Sequence, residues 1–256
     1  MQVHAPDPAY AASPESHERF TASWIIAALF VVGIALIHVV SFVFDLDLAR
    51  FGVHPRDVAG LAGILAAPLL HGDLAHLVGN LVPLLIGGTA LLYLYPDSSR
   101  FVLPAVYAGP GIAVWLFGRD SIHIGASGLV YGIVGYVFVA GILRRDRRAW
   151  AASLLVALLY GALVWGVLPV KTGVSWETHL AAAIIGVVCA FALRSRDIPP
   201  RKRYSWEDEP DEDESAAPGE PSMGAAVLGE PLLDGSDRGV DRRQVHAALG
   251  GDTLHE

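Results

Sequence analysis

The sequence predicts an all-α, polytopic membrane protein: six apolar helices in a bundle, followed by a disordered acidic tail. Three observations predict it. Hydrophobic residues make up 53% of the chain. Charged residues make up only 17%, where a soluble domain carries about a quarter. The apolar residues are gathered into runs of the length that crosses a bilayer, about 17–25 residues.

The runs follow in order. Trp24–Phe44 contains no Asp, Glu, Lys or Arg. It is longer than a signal-peptide core of about 7–15 residues, so it is expected to stay in the membrane as the first span. Val58–Leu70 is too short to cross and suits an interfacial or re-entrant element, or else the start of a long second span; His71, Gly72 and Asp73 favour the former. Leu74–Tyr95 is the second span, and Phe101–Gly118 the third, after a Pro96–Arg100 break. Ser121–Leu143 is the fourth, Ala149–Val170 the fifth, and the short Thr178–Leu193 the sixth. The chain thus divides into an N-terminal segment (1–23), a membrane domain (24–193) and a basic stretch leading into the tail (194–256).

Charge is unevenly spread. Residues 1–203 carry 15 Lys/Arg against 12 Asp/Glu, and residues 204–256 carry 3 against 14. The tail includes Glu207–Glu214, with seven acidic residues in eight, and is expected to be disordered and solvated. Neither part suits nucleic-acid binding. Basic residues in cytoplasmic loops set orientation. Arg19, Arg100, Arg144, Arg145, Arg147, Arg148, Arg194, Arg196, Arg201, Lys202 and Arg203 fall on one side, and Arg50, Arg56, Arg119 and Lys171 on the other. Both termini are therefore expected in the cytoplasm of a plasma-membrane protein, with spans two, four and six running inward from the outer face.

That orientation brings polar groups to one depth. His76 and Asn80 open the second span, Ser127 lies near the start of the fourth, and His179 heads the sixth. Ionisable groups inside a membrane are costly and usually functional. A serine hydroxyl needs a base to take its proton, and neutral His179 suits that role. His76 and Asn80, four apart on one helix face, offer a ring N–H and an amide NH₂ to a developing oxyanion. The backbone N–H of Ser127 adds a third donor. Glu177 faces away from His179, so a Ser–His dyad is expected, its imidazole held by packing or by the Tyr131 ring. Gly128/Gly132 and Ala182/Gly186 have the small-xxx-small spacing that lets membrane helices approach closely.

Other histidines rank lower. His38, midway along the first span, is expected to bond a neighbouring helix away from the dyad. His71 suits fixing a loop or lining the substrate entrance, and His123 the mouth of the site. Cys189 excludes an intramolecular disulfide and reads as inert packing. No cofactor or metal is expected.

These residues resemble the rhomboid intramembrane serine proteases. The resemblance spans roughly residues 24–193. It rests on the His-x-x-x-Asn of His76–Asn80, the Gly-x-Ser-Gly of Gly125–Gly128, Tyr131 one turn on, and His179 at the head of the last span. It implies that Ser127 is the nucleophile, His179 the base, and His76, Asn80 and the Ser127 amide the oxyanion hole, with Tyr131 stacked on His179. It implies that Val58–Leu70 belongs to an outer loop partly in the membrane and that Val170–Trp176 caps the site. It also implies single-span membrane proteins as substrates. Ala182 stands where the family often has glycine, and the outer loop has His54-Pro55-Arg56 in place of a Trp-Arg pair. The competing readings are a catalytically silent relative that binds membrane clients, and a small-solute transporter. The first usually lacks the Ser or His kept here. The second usually has a midplane site between repeated halves, and no internal repeat is evident.

Overall fold

The computed structural model describes residues 7–170 and 173–200. The acidic tail and Lys171, Arg201, Lys202 and Arg203 lie outside the described residues. Regular structure among the described residues is helical, apart from an antiparallel bridge between Val53 and His123 and a single bridge residue at Asp146. We number the six long helices α1 (Pro14–Val43), α2 (Leu74–Leu94), α3 (Pro96–Phe117), α4 (Ser127–Arg144), α5 (Arg147–Tyr160) and α6 (Trp176–Ala192).

Local chemistry moves several boundaries from those expected. α1 begins ten residues before Trp24, because Ser13 caps the Ser16 N–H, Pro14 fits the first helical position and Glu15 suits the first turn. Pro96, expected in a break, is also a first helical position. The N-terminus of α3 is capped from a distant part of the chain: the Asp197 carboxylate accepts from the Asp97 and Ser98 amides at 2.8 and 3.0 Å. α4 starts at Ser127 rather than Ser121, because His123 is drawn into the bridge with Val53. α4 and α5 are divided by Arg145 at φ +58° and by Asp146, whose carboxylate caps α5 and lies 2.6 Å from Arg144 without hydrogen-bond alignment. α5 is α-helical only to Tyr160 and continues as 3₁₀ turns over Gly161–Val167.

Among the described residues, five helical segments are long and apolar enough to cross a membrane: α1 to α4 and the run Arg147–Val167. α6, the expected sixth span, has 17 residues, at the short end of the spanning range. The chain is a multi-pass membrane protein, and its outward faces suit lipid: Leu29, Leu36 and Phe42 of α1 and Leu154 and Leu158 of α5 are all exposed.

α4 is the most buried of the five segments and packs against α2, α3, α5 and α6. Its approach to α6 depends on glycine. A Cβ on Gly186 would overlap the Gly132 carbonyl oxygen, and one on Gly132 would stand 2.5 Å from Val106 Cγ1 of α3. Ala182 is fully buried at this contact.

The segment between α1 and α2 contains no crossing helix, only short helical pieces over Ala49–Phe51, Val58–Leu61, Gly63–Ala66 and Ala67–Leu69. It is pinned to α3. Arg56 donates to the Gly118 carbonyl (2.8 Å), Trp115 Nε1 to the Asp57 carbonyl (2.8 Å) and Tyr107 Oη to the Leu65 carbonyl (2.7 Å). Gly63 packs so tightly on the backbone of Gly52 that a Cβ there would overlap it.

Candidate active site

The heads of α4 and α6 meet at Ser127 and His179. His179 Nε2 lies 2.8 Å from Ser127 Oγ, and His179 Nδ1 lies 2.9 Å from the Gly166 carbonyl oxygen. A carbonyl only accepts, so Nδ1 carries the proton and Nε2 presents its lone pair to the serine hydroxyl. The tautomer thus follows from a backbone contact. Glu177 contributes nothing to it, since its carboxylate faces Arg119 at 3.7 Å.

Tyr131, one turn into α4, stacks on the imidazole with centroids 4.1 Å apart and planes 8° from parallel. Its hydroxyl donates to the Leu163 carbonyl at 2.8 Å. The 3₁₀ turns after α5 therefore hold both rings, the imidazole through Gly166 and the phenol through Leu163. Gly166 fits because it lacks a side chain, as a Cβ there would overlap the Tyr131 hydroxyl. His179 is buried and Ser127 half-buried.

The turn before Ser127 is fixed one amide at a time. The Gly125 N–H donates to the Ala67 carbonyl at 2.8 Å, and the Ala126 N–H to His71 Nε2 at 3.3 Å. Gly125 has φ +116°, and a Cβ on it would stand 2.6 Å from His76 Nε2, so the His76 ring lies directly against the turn. Ser127 is the first residue of α4, and its N–H belongs to the first turn, where helix amides have no intrahelical acceptor. Asn80 is buried one turn further along α2. One of its two amide hydrogens goes to the His76 carbonyl at 2.9 Å, and an NH₂ group has a second. Gly128 faces α6 and α3, where a Cβ would meet Thr178 and Pro110 at 3.1 and 3.6 Å.

The structure therefore brings together Ser127, His179 and Tyr131, and sets His76 against Gly125 with Asn80 on the same face of α2. It also places two other histidines. His123 lines a small cavity with Gly125, Gly128 and Thr178, beside Ser127. It is buried, with Nδ1 at 2.5 Å from Ser175 Oγ and Nε2 at 3.2 Å from the Arg119 carbonyl, and so ties the approach to α4 to the head of α6. Burial holds its pKa below the ordinary value. His38 lies toward the C-terminal end of α1, where it adjoins His71. A cavity of about 130 Å³ is lined by both rings, and the Nδ1 atoms of both are buried without a partner. His71 does fix the loop. Burial first, then the His76 and His38 rings, pushes its pKa down to about 4, which keeps Nε2 free to accept from Ala126.

Gly166 was not foreseen, since any residue supplies a carbonyl and nothing in the apolar run around it marks this one. Among the described residues, no group of three or more His, Cys, Asp or Glu side chains is arranged to hold a metal ion.

Comparison with known proteins agrees in scope. The rhomboid domain family matches residues 58–196. An uncharacterized protein of Mycobacterium tuberculosis and one of Mycobacterium bovis are each 34% identical over 194 residues, covering 70% of this chain and 79% of theirs. An uncharacterized protein of Mycobacterium leprae is 34% identical over 205 residues, covering 74% and 79%.

Proposed function

The chain belongs to the rhomboid family, and from that premise we propose that it is an intramembrane serine endopeptidase that uses Ser127 as nucleophile and His179 as general base. The observation that carries this reading is the Ser127–His179–Gly166 chain of contacts at 2.8 and 2.9 Å. A hydroxyl, an imidazole lone pair and an acceptor that fixes the tautomer are the parts an activated serine needs.

In the proposed reaction Ser127 Oγ attacks the scissile carbonyl carbon as its proton passes to His179 Nε2. The carbonyl oxygen becomes an oxyanion facing the Ser127 N–H, the Asn80 amide and the His76 ring. Collapse of this intermediate breaks the C–N bond. His179 Nε2–H gives its proton to the departing amine, leaving an acyl ester on Ser127. Water, deprotonated by His179, then hydrolyses that ester and regenerates the hydroxyl. The Gly166 carbonyl stabilises the transient imidazolium through Nδ1–H, the work done by a carboxylate in a triad.

The substrates proposed are single-span membrane proteins whose helices unwind near the cut, because a helical carbonyl is already hydrogen-bonded and screened from attack. The excess of basic residues in the loops beside Arg19, Arg100 and Arg144–Arg148 supports an inner face there, with the dyad opening to the outer face of a plasma membrane. The test is cleavage of a single-span reporter by the purified protein in liposomes. Ser127→Ala and His179→Ala are each expected to abolish cleavage with melting temperature unchanged. Full activity in either folded variant would remove that residue from the mechanism.

A further inference from the structure

At the opposite end of the bundle from Ser127 lies a polar pocket of about 380 Å³. It is walled by the chain around Tyr10 and Arg19, the C-terminal end of α2 at Tyr93, the α4–α5 turn at Arg144 and Arg148, and the residues after α6. We propose that this pocket binds a phosphate group of the kind carried by an acidic phospholipid headgroup.

Charge balance is the first argument. Five charged side chains among the described residues line the pocket, and three are committed elsewhere. Asp97 pairs with Arg100 at 2.9 Å, Asp197 caps α3, and Arg144 pairs with Asp146 at 2.6 Å. Arg19 and Arg148 have no carboxylate partner among the described residues. Arg19 donates to Tyr10 Oη at 2.8 Å, and Arg148 makes only a long contact with Tyr93 Oη at 3.4 Å. Two half-buried guanidinium groups with phenolic partners leave the pocket positive.

Donor chemistry is the second. Guanidinium forks match phosphate oxygens in pairs. Beside them stand the hydroxyls of Tyr10, Tyr93 and Ser16, the last two 2.9 Å apart. An anion that accepts from both arginines would find neutral donors around it and, among the described residues, no uncommitted carboxylate opposing it.

Size and place are the third. The volume is of ligand-pocket scale, about 300–1,000 Å³, far above the roughly 30 Å³ a water takes in the liquid. Tyr93 lies 17 residues along α2 from His76, or about 25 Å at the rise of an α-helix. The pocket thus falls at the level of the helix ends, where headgroups border the hydrocarbon core. The Asp7 N–H donates to the Pro200 carbonyl at 3.1 Å across the pocket wall, so a bound phosphate would tie the start of the chain to the exit of α6.

The experiment uses the full chain in uncharged detergent, with native mass spectrometry for stoichiometry and thermal unfolding for affinity. Four probes separate the sources: dioleoyl phosphatidylglycerol, dioleoyl phosphatidylcholine, sn-glycerol 3-phosphate and inorganic phosphate. One phosphatidylglycerol per chain is expected, stabilising the fold, with phosphatidylcholine far weaker. The Arg19→Gln/Arg148→Gln double variant should bind about tenfold more weakly or worse, the scale of losing a charge-assisted hydrogen bond. The corresponding double lysine variant, which keeps the charge, should lose less. Binding of the soluble probes with the same arginine dependence would identify a free phosphate as ligand. Binding confined to phosphatidylglycerol would identify a lipid. Equal affinity for the two lipids with no binding of the soluble probes, or a folded glutamine double variant that binds as well as wild type, would overturn the proposal.

Discussion

Replacing Gly166 by alanine tests the imidazole's support without replacing either reacting group. The new methyl would overlap the Tyr131 hydroxyl and stand 3.0 Å from Tyr131 Cζ and 3.2 Å from His179 Nδ1, where carbon contacts settle near 3.5–4.0 Å. The hydroxyl must yield by about 1 Å or more, and misplacement on that scale costs about 10²-fold in rate. Two supports go with it. The Tyr131–Leu163 hydrogen bond is worth about 1 kcal/mol, and the ring stack about 0.5–1.5 kcal/mol. The assay is turnover of a single-span reporter, measured with melting temperature. Tyr131→Phe removes the clashing atom and leaves the ring edge, so Gly166→Ala/Tyr131→Phe is expected to recover much of the loss. A Gly166→Ala protein as active as wild type, or a double variant no better than Gly166→Ala, would refute the reasoning.

Three further outcomes are expected. Asn80→Ala should lower turnover by about 10²–10³, the range for one oxyanion donor, with expression unchanged; undiminished turnover would take Asn80 out of the mechanism. Gly125→Ala should destabilise the protein by about 1–3 kcal/mol from its positive φ alone, with further loss from contact with the His76 ring; a wild-type melting temperature and rate would contradict the close packing of that turn. Stability should also depend on His71. The unfolded chain takes up this proton near pH 6.5 and the folded one only near 4, so His71 favours the fold fully above pH 6.5, and that contribution is lost as pH falls toward 4. His123, also lowered by burial, acts in the same direction. Melting temperatures across this window should fall for wild type and fall less for His71→Gln; coincident curves would dismiss His71 as a contributor.

The polar side chains were legible in the sequence because hydroxyl, imidazole and amide groups are costly in apolar runs. Ser127, His179 and Tyr131 meet as their order along the chain implied. Their supports are main-chain atoms, and these were invisible. The Gly166 and Leu163 carbonyls could belong to any residue, and only the 3₁₀ path after Tyr160 aims them at the rings. Helix limits erred where local chemistry opposed hydropathy. Ile122 and Ile124 read as membrane-embedded, yet pairing of His123 with Val53 excludes that stretch from α4. Conversely, Ser13-Pro14-Glu15 is a helix-start signal in a polar segment, and hydropathy alone hid the true start of α1. Ala182 sits where extra bulk threatened to part α4 from α6. The contact closes through Gly132 and Gly186, and the dyad distance is 2.8 Å.

The most direct test needs no known substrate. The purified protein is treated with a fluorophosphonate, and the adduct is located by mass spectrometry in wild type, Ser127→Ala and His179→Ala. The account predicts a single adduct on Ser127, lost in both variants. A folded wild-type protein that takes up no label at Ser127, or a His179→Ala protein labelled as fast as wild type, would contradict an activated serine and favour a chain that binds membrane clients without cutting them.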